Sequence, residues 1–229
     1  MWRWISDFPQ VATHPPGGHG AGSVASTPNH SLPSWDARLA HWCVTPLART
    51  ALRPNHVTTL SLLAGIAGAG FYALGSRNAQ NWGAGLYILS IFLDHCDGEL
   101  ARLTGATSAF GHAYDRAADL IVKLAVFVAM GAGLGAAGLG TRGLRMGMVA
   151  GTAFVVIFLL RSRIAALRGR MPGQPGVAGF EIEDILYLVA PITWLGWLPG
   201  FLSLAAVGAP GFALWTLWEW CGAVRAGRR

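Results

Sequence analysis

The sequence predicts an all-α fold, a polytopic membrane bundle of six transmembrane helices preceded by an amphipathic interfacial helix. Two observations carry this prediction. Of the 229 residues, 53% are hydrophobic and only 12% are charged, whereas soluble domains carry about 25% charged residues. The apolar residues also gather in continuous runs that suit membrane-spanning helices of about 20 residues, and these runs do not alternate as barrel strands do.

The first 50 residues divide into two segments. Residues 1–33 are rich in Pro, Gly, Ser, Thr and His and have no apolar period, which is typical of a flexible polar tail. In residues 34–50, apolar residues such as Trp35, Leu39 and Trp42 recur at helical spacing, with charged residues largely between them. This pattern predicts an amphipathic helix on the membrane surface.

Six apolar runs follow in residues 51–222, which we interpret as one membrane domain, and residues 223–229 form a basic C-terminal tail. The runs cover about residues 54–74, 82–103, 108–135, 144–160, 182–198 and 201–221. Small residues fill the first run between Ala64 and Gly70. Because small residues let helices approach closely, they favour a tightly packed bundle.

The arginine residues predict the orientation. With six spans, both termini lie on one side, and that side carries the larger set: Arg38, Arg49, Arg53, Arg102, Arg161, Arg163, Arg168, Arg170, Arg225, Arg228 and Arg229. The other side has at most Arg77, Arg142 and Arg145. Since cytoplasmic loops carry the excess of Lys and Arg, we expect a multi-pass protein of the inner (cytoplasmic) membrane with both termini in the cytoplasm.

Charge and cysteine content argue against nucleic-acid binding and against a disulfide framework or zinc site. The positive charges that give the chain its net charge of +6 lie at segment ends, so we attribute them to membrane orientation and expect no nucleic-acid partner. Cys43, Cys96 and Cys221 are scattered and form no CxxC motif. They therefore indicate neither a disulfide framework nor a zinc site.

Four aspartates lie within the 26 residues from Asp94 to Asp119, although the whole chain has only 11 acidic residues. Carboxylates within a membrane domain are costly and usually face a cavity or a ligand. Asp94 and Asp97 share one helix face at a spacing of three, and Asp115 and Asp119 share another at a spacing of four. A tight turn near Gly105 between antiparallel helices would bring the two pairs together.

Four carboxylates at such close range cannot all stay ionised without a countercharge. Mg²⁺ or Mn²⁺ would supply it, because these hard cations bind carboxylate oxygens and keep positions open for phosphate oxygens. Two such ions recur in displacement reactions at phosphorus, so we expect two. The alternative interpretation is a set of salt bridges to Arg102, Arg116 and Lys123.

The aspartate stretch resembles the signature of the CDP-alcohol phosphatidyltransferase family. The matching residues, at the family's spacings, are Asp94, Asp97, Gly98, Ala101, Arg102, Gly111, Asp115 and Asp119. The residues Pro54, Asn55, Val57 and Thr58 at the start of the first apolar run resemble a second, looser family feature. The resemblance covers about residues 50–222. It implies a bundle of six helices, commonly as a homodimer.

The resemblance implies a metal-dependent enzyme of phospholipid biosynthesis. Such an enzyme transfers a phosphatidyl group from a CDP-linked lipid, here expected to be CDP-diacylglycerol, to an alcohol acceptor and releases CMP at the cytoplasmic face. The implied metal ligands are Asp94, Asp97, Asp115 and Asp119, with Asp119 as a ligand or as the catalytic general base for the acceptor hydroxyl. The residues implied to line the pocket for the CDP moiety are Asn55, Thr58, Gly98, Ala101, Arg102 and Gly111.

The acceptor alcohol is less well specified. Arg161 and Arg163 resemble an Arg-x-Arg pair of family members that act on phosphorylated alcohols, and Lys123 lies one turn past Asp119. These three basic residues are the acceptor candidates. The two arginines are equally consistent with a positive-inside cluster that contacts anionic lipid head groups.

Two other functions stay open from the sequence. One is the same chemistry with a CDP-alcohol donor and diacylglycerol as the acceptor. The other belongs to a different class, a divalent-cation transporter that uses the aspartates as a transit site. Transport would need carboxylates along a continuous path through the bilayer, and outside the aspartate stretch the apolar runs carry almost none.

Overall fold

The computed structural model describes residues 35–167 and 184–226. The helices are α1 (Trp35–Val44), α2 (Pro54–Ala73), α3 (Arg77–Thr104), α4 (Ala109–Leu134), α5 (Gly140–Leu167), α6 (Asp184–Tyr187), α7 (Val189–Trp194) and α8 (Leu198–Ala226), with a 3₁₀ turn at Leu47–Arg49 and a π-helical segment at Gly135–Leu139. These residues contain no strand, so the all-α prediction is confirmed for them. The predicted tail of residues 1–33 lies outside the described residues, as do Arg168, Arg170, Arg228 and Arg229.

Within residues 35–167 and 184–226, three helical stretches are long and apolar enough to cross a membrane: Pro54–Ala73, Ala109–Leu167 and Leu198–Arg225. The second contains both α4 and α5, which are joined through Gly138 at a positive φ of 122°. Helix α3 has 28 residues but is polar at both ends. A multi-pass membrane protein accounts for these helices, while the number of six crossings stays a prediction.

The fifth apolar run, predicted as one helix over about 182–198, differs in its described part. It is divided into α6 and α7, which have four and six residues. The ring of a proline clashes with the carbonyl four residues earlier, and Pro191 stands four residues after Tyr187, where α6 ends. Gly196, at a φ of 79°, then follows α7. Pro191 and Gly196 thus break the run into short helices, although its apolar pattern is continuous.

Close helix contacts hold the bundle together. Helix α2 packs against α3 and α4, α4 against α5, and α5 against α8. At the α4–α5 contact, a Cβ added to Gly143 would lie 2.7 Å from the carbonyl oxygen of Gly131, so only glycine fits there. Tyr72 of α2 is fully buried and forms a 3.0 Å hydrogen bond with Thr193 of α7. This bond holds the segment of α6 and α7 against the core.

Helix α1 is amphipathic and packs on α3. Its buried residues Ala40 and Val44 join Cys96 and Leu100 of α3 in a small apolar cluster. Its outer side carries Trp42, whose exposed fraction is 75%. Where the sequence predicted one helix over residues 34–50, α1 ends at Val44 and Pro46 precedes the 3₁₀ turn, because proline cannot continue the helical hydrogen bonds.

Candidate metal centre and active site

The turn between α3 and α4 sets the geometry of the site. Helix α3 ends at Thr104 and is followed by Gly105, which adopts the left-handed conformation at a φ of 65°, a common helix stop. Helix α4 starts after Ser108, whose hydroxyl accepts a 2.9 Å hydrogen bond from the Gly111 N–H and so caps the helix. Only four residues separate the two helices, which places the end of α3 beside the start of α4.

Three of the predicted ligands meet at this junction. Asp94, Asp97 and Asp115 each offer a carboxylate oxygen, and the three oxygens lie within 4.8 Å of one another. Asp97 is buried, and the other two are half-buried. Three anionic oxygens at this range repel one another unless a cation lies between them. An all-oxygen donor set of this kind fits a hard divalent cation such as Mg²⁺ or Mn²⁺.

Asp97 is fixed by a residue from α2. The hydroxyl of Thr58 donates a hydrogen bond of 2.5 Å to Oδ2 of Asp97, and both side chains are buried. The resemblance to the family implied that Thr58 lines the CDP pocket. In the structure its hydroxyl is directed at the carboxylate and thus orients a candidate metal ligand.

The remaining family-like glycines lie around the aspartates. A Cβ added to Gly111 would come 3.2 Å from Oδ1 of Asn55, so the amide of Asn55 lies directly beside this glycine. Gly98 adjoins Asp97, and among the described residues a Cβ added there would meet only Nη1 of Arg102, at 3.9 Å. Ala101, one turn from Asp97, is half-buried. The face beyond Asp97 therefore has room for a ligand against the backbone.

Arg102 connects this face to α1 through the acidic side chain of Glu99. Its Nε and Nη2 lie 2.8 and 2.6 Å from Oε2 of Glu99. The other oxygen of Glu99 is 2.6 Å from Nδ1 of His41 on α1. The spacing of three between Glu99 and Arg102 was a readable signal for their pair. No sequence pattern links His41 to Glu99 across 58 residues.

Asp119 lies apart from the three grouped aspartates. Its Oδ2 forms an ion pair of 2.8 Å with Nζ of Lys123, and its charge is close enough to act on Asp94. Lys123 is buried, and its ammonium lies 5.7 Å from the centre of the Phe158 ring on α5. The salt-bridge interpretation thus describes the pair formed by Asp119 and Lys123, while Asp94, Asp97 and Asp115 form a separate group of carboxylates.

The two acceptor candidates on α5 have different surroundings. The guanidinium of Arg161 lies 5.3 Å from the centre of the Phe212 ring on α8. Its Nε is buried and has no hydrogen-bond partner among the described residues. Arg163 is exposed. Arg161 is therefore the better placed of the two to bind an anion inside the bundle.

Comparisons with known proteins identify the family of the chain. Residues 51–221 match the family model for CDP-alcohol phosphatidyltransferase. A bifunctional IPC transferase and DIPP synthase of Rubrobacter xylanophilus is 32% identical over 171 residues, which cover 73% of this chain but only 36% of that relative. The apo crystal structure of a Mycobacterium tuberculosis phosphatidylinositol phosphate synthase superimposes with a TM-score of 0.57 at 25% identity, covering 79% of this chain and 98% of that one. Since the family model matches well over half of the chain, the chain belongs to the CDP-alcohol phosphatidyltransferase family.

Proposed function

We propose that this protein transfers a phosphatidyl group from CDP-diacylglycerol to an alcohol and releases CMP, in phospholipid biosynthesis. The observation that carries the proposal is the group formed by Asp94, Asp97 and Asp115 in a member of this family. The proposed topology has six spans with both termini and the aspartates at the cytoplasmic face of the inner membrane, as the arginine distribution favours. The resemblance to the family also supports a homodimer.

The grouped aspartates would hold Mg²⁺ or Mn²⁺, with two ions as the proposed number and Asp119 as the fourth ligand. When bound, these ions would neutralise the diphosphate of the donor and the charge that develops on the leaving CMP. Thr58 contributes by keeping the Asp97 carboxylate in one orientation. A fixed ligand set loses less free energy to reorganisation when a cation binds.

The proposed place for the CDP moiety is the open face next to Asp97. Gly98 leaves space against the α3 backbone, and Asn55 beside Gly111 offers an amide for hydrogen bonds. Arg102 lies at the edge of this face, and its exposed side chain is held by Glu99. An arginine fork suits a phosphate oxygen pair, so we infer that Arg102 turns from Glu99 toward the donor diphosphate.

The proposed reaction is a displacement at phosphorus. The acceptor hydroxyl oxygen forms a bond to the β-phosphorus of the donor, the bond from that phosphorus to the CMP oxygen breaks, and the hydroxyl proton passes to the carboxylate of Asp119. Asp119 lies one helical turn beyond Asp115 and is half-buried, a position within reach of an alcohol at the grouped aspartates. Lys123 holds this carboxylate in place.

For the acceptor we propose an alcohol that carries a phosphate. The support comes from two basic side chains of the bundle. Nζ of Lys123 lies 5.7 Å from the centre of the Phe158 ring, and Phe158 stands one turn before Arg161 on α5. The Nε of Arg161 is buried and has no hydrogen-bond partner among the described residues. The structurally similar M. tuberculosis protein is a phosphatidylinositol phosphate synthase, which supports the same class of acceptor.

An assay of CMP release tests the donor and the acceptor together. Purified protein with Mn²⁺ receives either CDP-diacylglycerol and a panel of free and phosphorylated alcohols, or CDP-alcohols and diacylglycerol. We expect CMP only with CDP-diacylglycerol, and only with a phosphorylated alcohol. CMP release from a CDP-alcohol with diacylglycerol would instead establish the reverse choice of donor, and turnover of unphosphorylated alcohols alone would reject the proposed acceptor.

A further inference from the structure

A wide groove lies between α1 and the carboxyl end of α3. Its volume is about 1580 Å³, larger than the roughly 300–1,000 Å³ of ordinary small-molecule pockets. The residues that give it its chemical character are Arg38, His41, Trp42, Arg49, Glu99 and Arg102. The groove is therefore basic, aromatic at one side, and large enough for a phospholipid head group.

The groove is on a different side of α3 from the grouped aspartates. Successive residues of an α-helix are about 100° apart, so that Glu99, two residues after Asp97, points about 200° away from it. Arg102 stands between the two sides, with Nε and Nη2 on Glu99 and Nη1 near Gly98. A molecule in the groove would thus lie beside the proposed donor site without occupying it.

The charges in the groove favour an anion. Three arginines and a histidine line it, against the single carboxylate of Glu99. That carboxylate already pairs with His41 and Arg102. Arg38 and Arg49, both exposed, therefore supply the excess positive charge, and they stand on either side of Trp42 in the chain.

The position of α1 indicates where the anion comes from. The buried residues Ala40 and Val44 face α3, whereas Trp42 and Leu39 are exposed at 75% and 43%. Exposed tryptophan beside arginine is typical of a helix at the level of the lipid head groups. Phosphates of the surrounding leaflet are therefore the anions within reach.

We propose that this groove binds the head-group phosphate of an anionic phospholipid that is not the donor. Arginine forks bind phosphate oxygens in pairs, and juxtamembrane basic residues are attracted to anionic lipid. A lipid held by Arg38 and Arg49 packs against α1 and keeps His41 in contact with Glu99. The bound lipid thereby stabilises the contact between α1 and α3 beside the donor site.

Native mass spectrometry of the full-length protein in detergent tests this proposal without any enzyme assay. The probes are phosphatidylglycerol and phosphatidylcholine, which differ in net head-group charge. The test variant is Arg38→Gln/Arg49→Gln, and the matched control is Arg142→Gln/Arg145→Gln, which removes two exposed arginines from the start of α5. We expect wild type and control to retain phosphatidylglycerol about tenfold better than phosphatidylcholine, and the test variant to lose this preference.

Three results would overturn the proposal: equal retention of both lipids by wild type, an unchanged preference in the test variant, or displacement of phosphatidylglycerol by millimolar inorganic phosphate. The last result would show that the groove binds soluble phosphate. The single variants Arg38→Gln and Arg49→Gln, each expected to lose part of the preference, keep the test valid if the double variant unfolds. Because binding is read without turnover, failure here leaves the proposed transferase activity untouched.

Discussion

Thr58 Oγ1 donates a hydrogen bond of 2.5 Å to Oδ2 of Asp97, and so joins the start of α2 to the aspartate stretch across 39 residues. The same hydroxyl lies 3.2 Å from the Pro54 carbonyl, within its own helix. The two family-like features of the sequence therefore meet at one carboxylate. The bond occupies one oxygen of Asp97 and orients the carboxylate toward its neighbours.

The first prediction concerns this hydrogen bond. Thr58→Val keeps the side-chain volume but leaves Asp97 without its donor, whereas Thr58→Ser keeps the hydroxyl. Loss of an outer contact to a metal ligand typically costs 10–100-fold in metal affinity or activity. We expect Thr58→Val to need at least tenfold more Mn²⁺ for half-maximal CMP release, with Thr58→Ser close to wild type. An unchanged Mn²⁺ requirement in Thr58→Val would separate Thr58 from the metal centre.

The second prediction concerns Asp97 itself. Asp97→Asn retains the shape of the side chain and can still accept the hydrogen bond from Thr58, but it removes the charge. We expect turnover to be abolished while the protein elutes and melts as wild type does, measured by CMP release, gel filtration and thermal unfolding. Near-normal activity in this variant would remove the argument for a metal site at Asp97.

The third prediction separates a glycine that leaves room for ligand from one that packs helices. In the part of the chain that the structure describes, a methyl group at Gly98 meets only Arg102. Gly98→Ala should therefore fold normally yet raise the KM for the CDP donor about tenfold or more. A methyl group at Gly143 would press on the Gly131 carbonyl, and such overpacking costs about 1–3 kcal/mol. We expect Gly143→Ala to melt at a lower temperature.

If Gly98→Ala instead loses stability while its KM stays the same, the open face beside Asp97 is a packing feature. If Gly143→Ala keeps the wild-type melting temperature, the α4–α5 contact is looser than the structure indicates.

The fourth prediction asks whether Asp119 belongs to the metal centre. Removing one partner of a buried ion pair costs about 3–5 kcal/mol, so Lys123→Met should destabilise the protein by leaving Asp119 without its cation. If Asp119 is also a metal ligand, Mn²⁺ replaces the lost charge. We expect thermal unfolding to show a smaller loss of stability in Mn²⁺ than in EDTA. An equal loss in both conditions would place Asp119 outside the metal centre.

The fifth prediction concerns the acceptor. Hydrogen bonds to charged groups contribute about 1.5–3 kcal/mol, which corresponds to roughly 10–100-fold in KM. Arg161→Ala should raise the KM for a phosphorylated alcohol by about this factor. Arg163→Ala should raise the same KM by less, because Arg163 is exposed. Arg145→Ala on the opposite end of α5 is the control. Unchanged acceptor KM values in both variants would favour the lipid-contact interpretation of this pair.

The spacing of Asp94, Asp97 and Asp115 was enough to predict that they meet, because a helix face and a short turn leave few alternatives. The apolar runs also predicted the bounds of α2 and α4 closely. The contact between His41 and Glu99 could not be predicted, since it depends on how α1 docks on α3. The division of the fifth run was missed for a different reason. Its apolar pattern is continuous, and only Pro191 and Gly196 signalled the break.

We propose that the grouped aspartates hold the divalent cations that phosphatidyl transfer requires. The most direct test is CMP release from CDP-diacylglycerol by purified wild-type protein that has been stripped with EDTA and then titrated with Mn²⁺ or Mg²⁺, with Asp97→Asn in parallel. We expect no CMP without metal, full recovery in wild type, and none in the variant. Metal-independent CMP release would contradict the proposed metal centre, and so would protein that releases no CMP yet moves Mn²⁺ across liposomes.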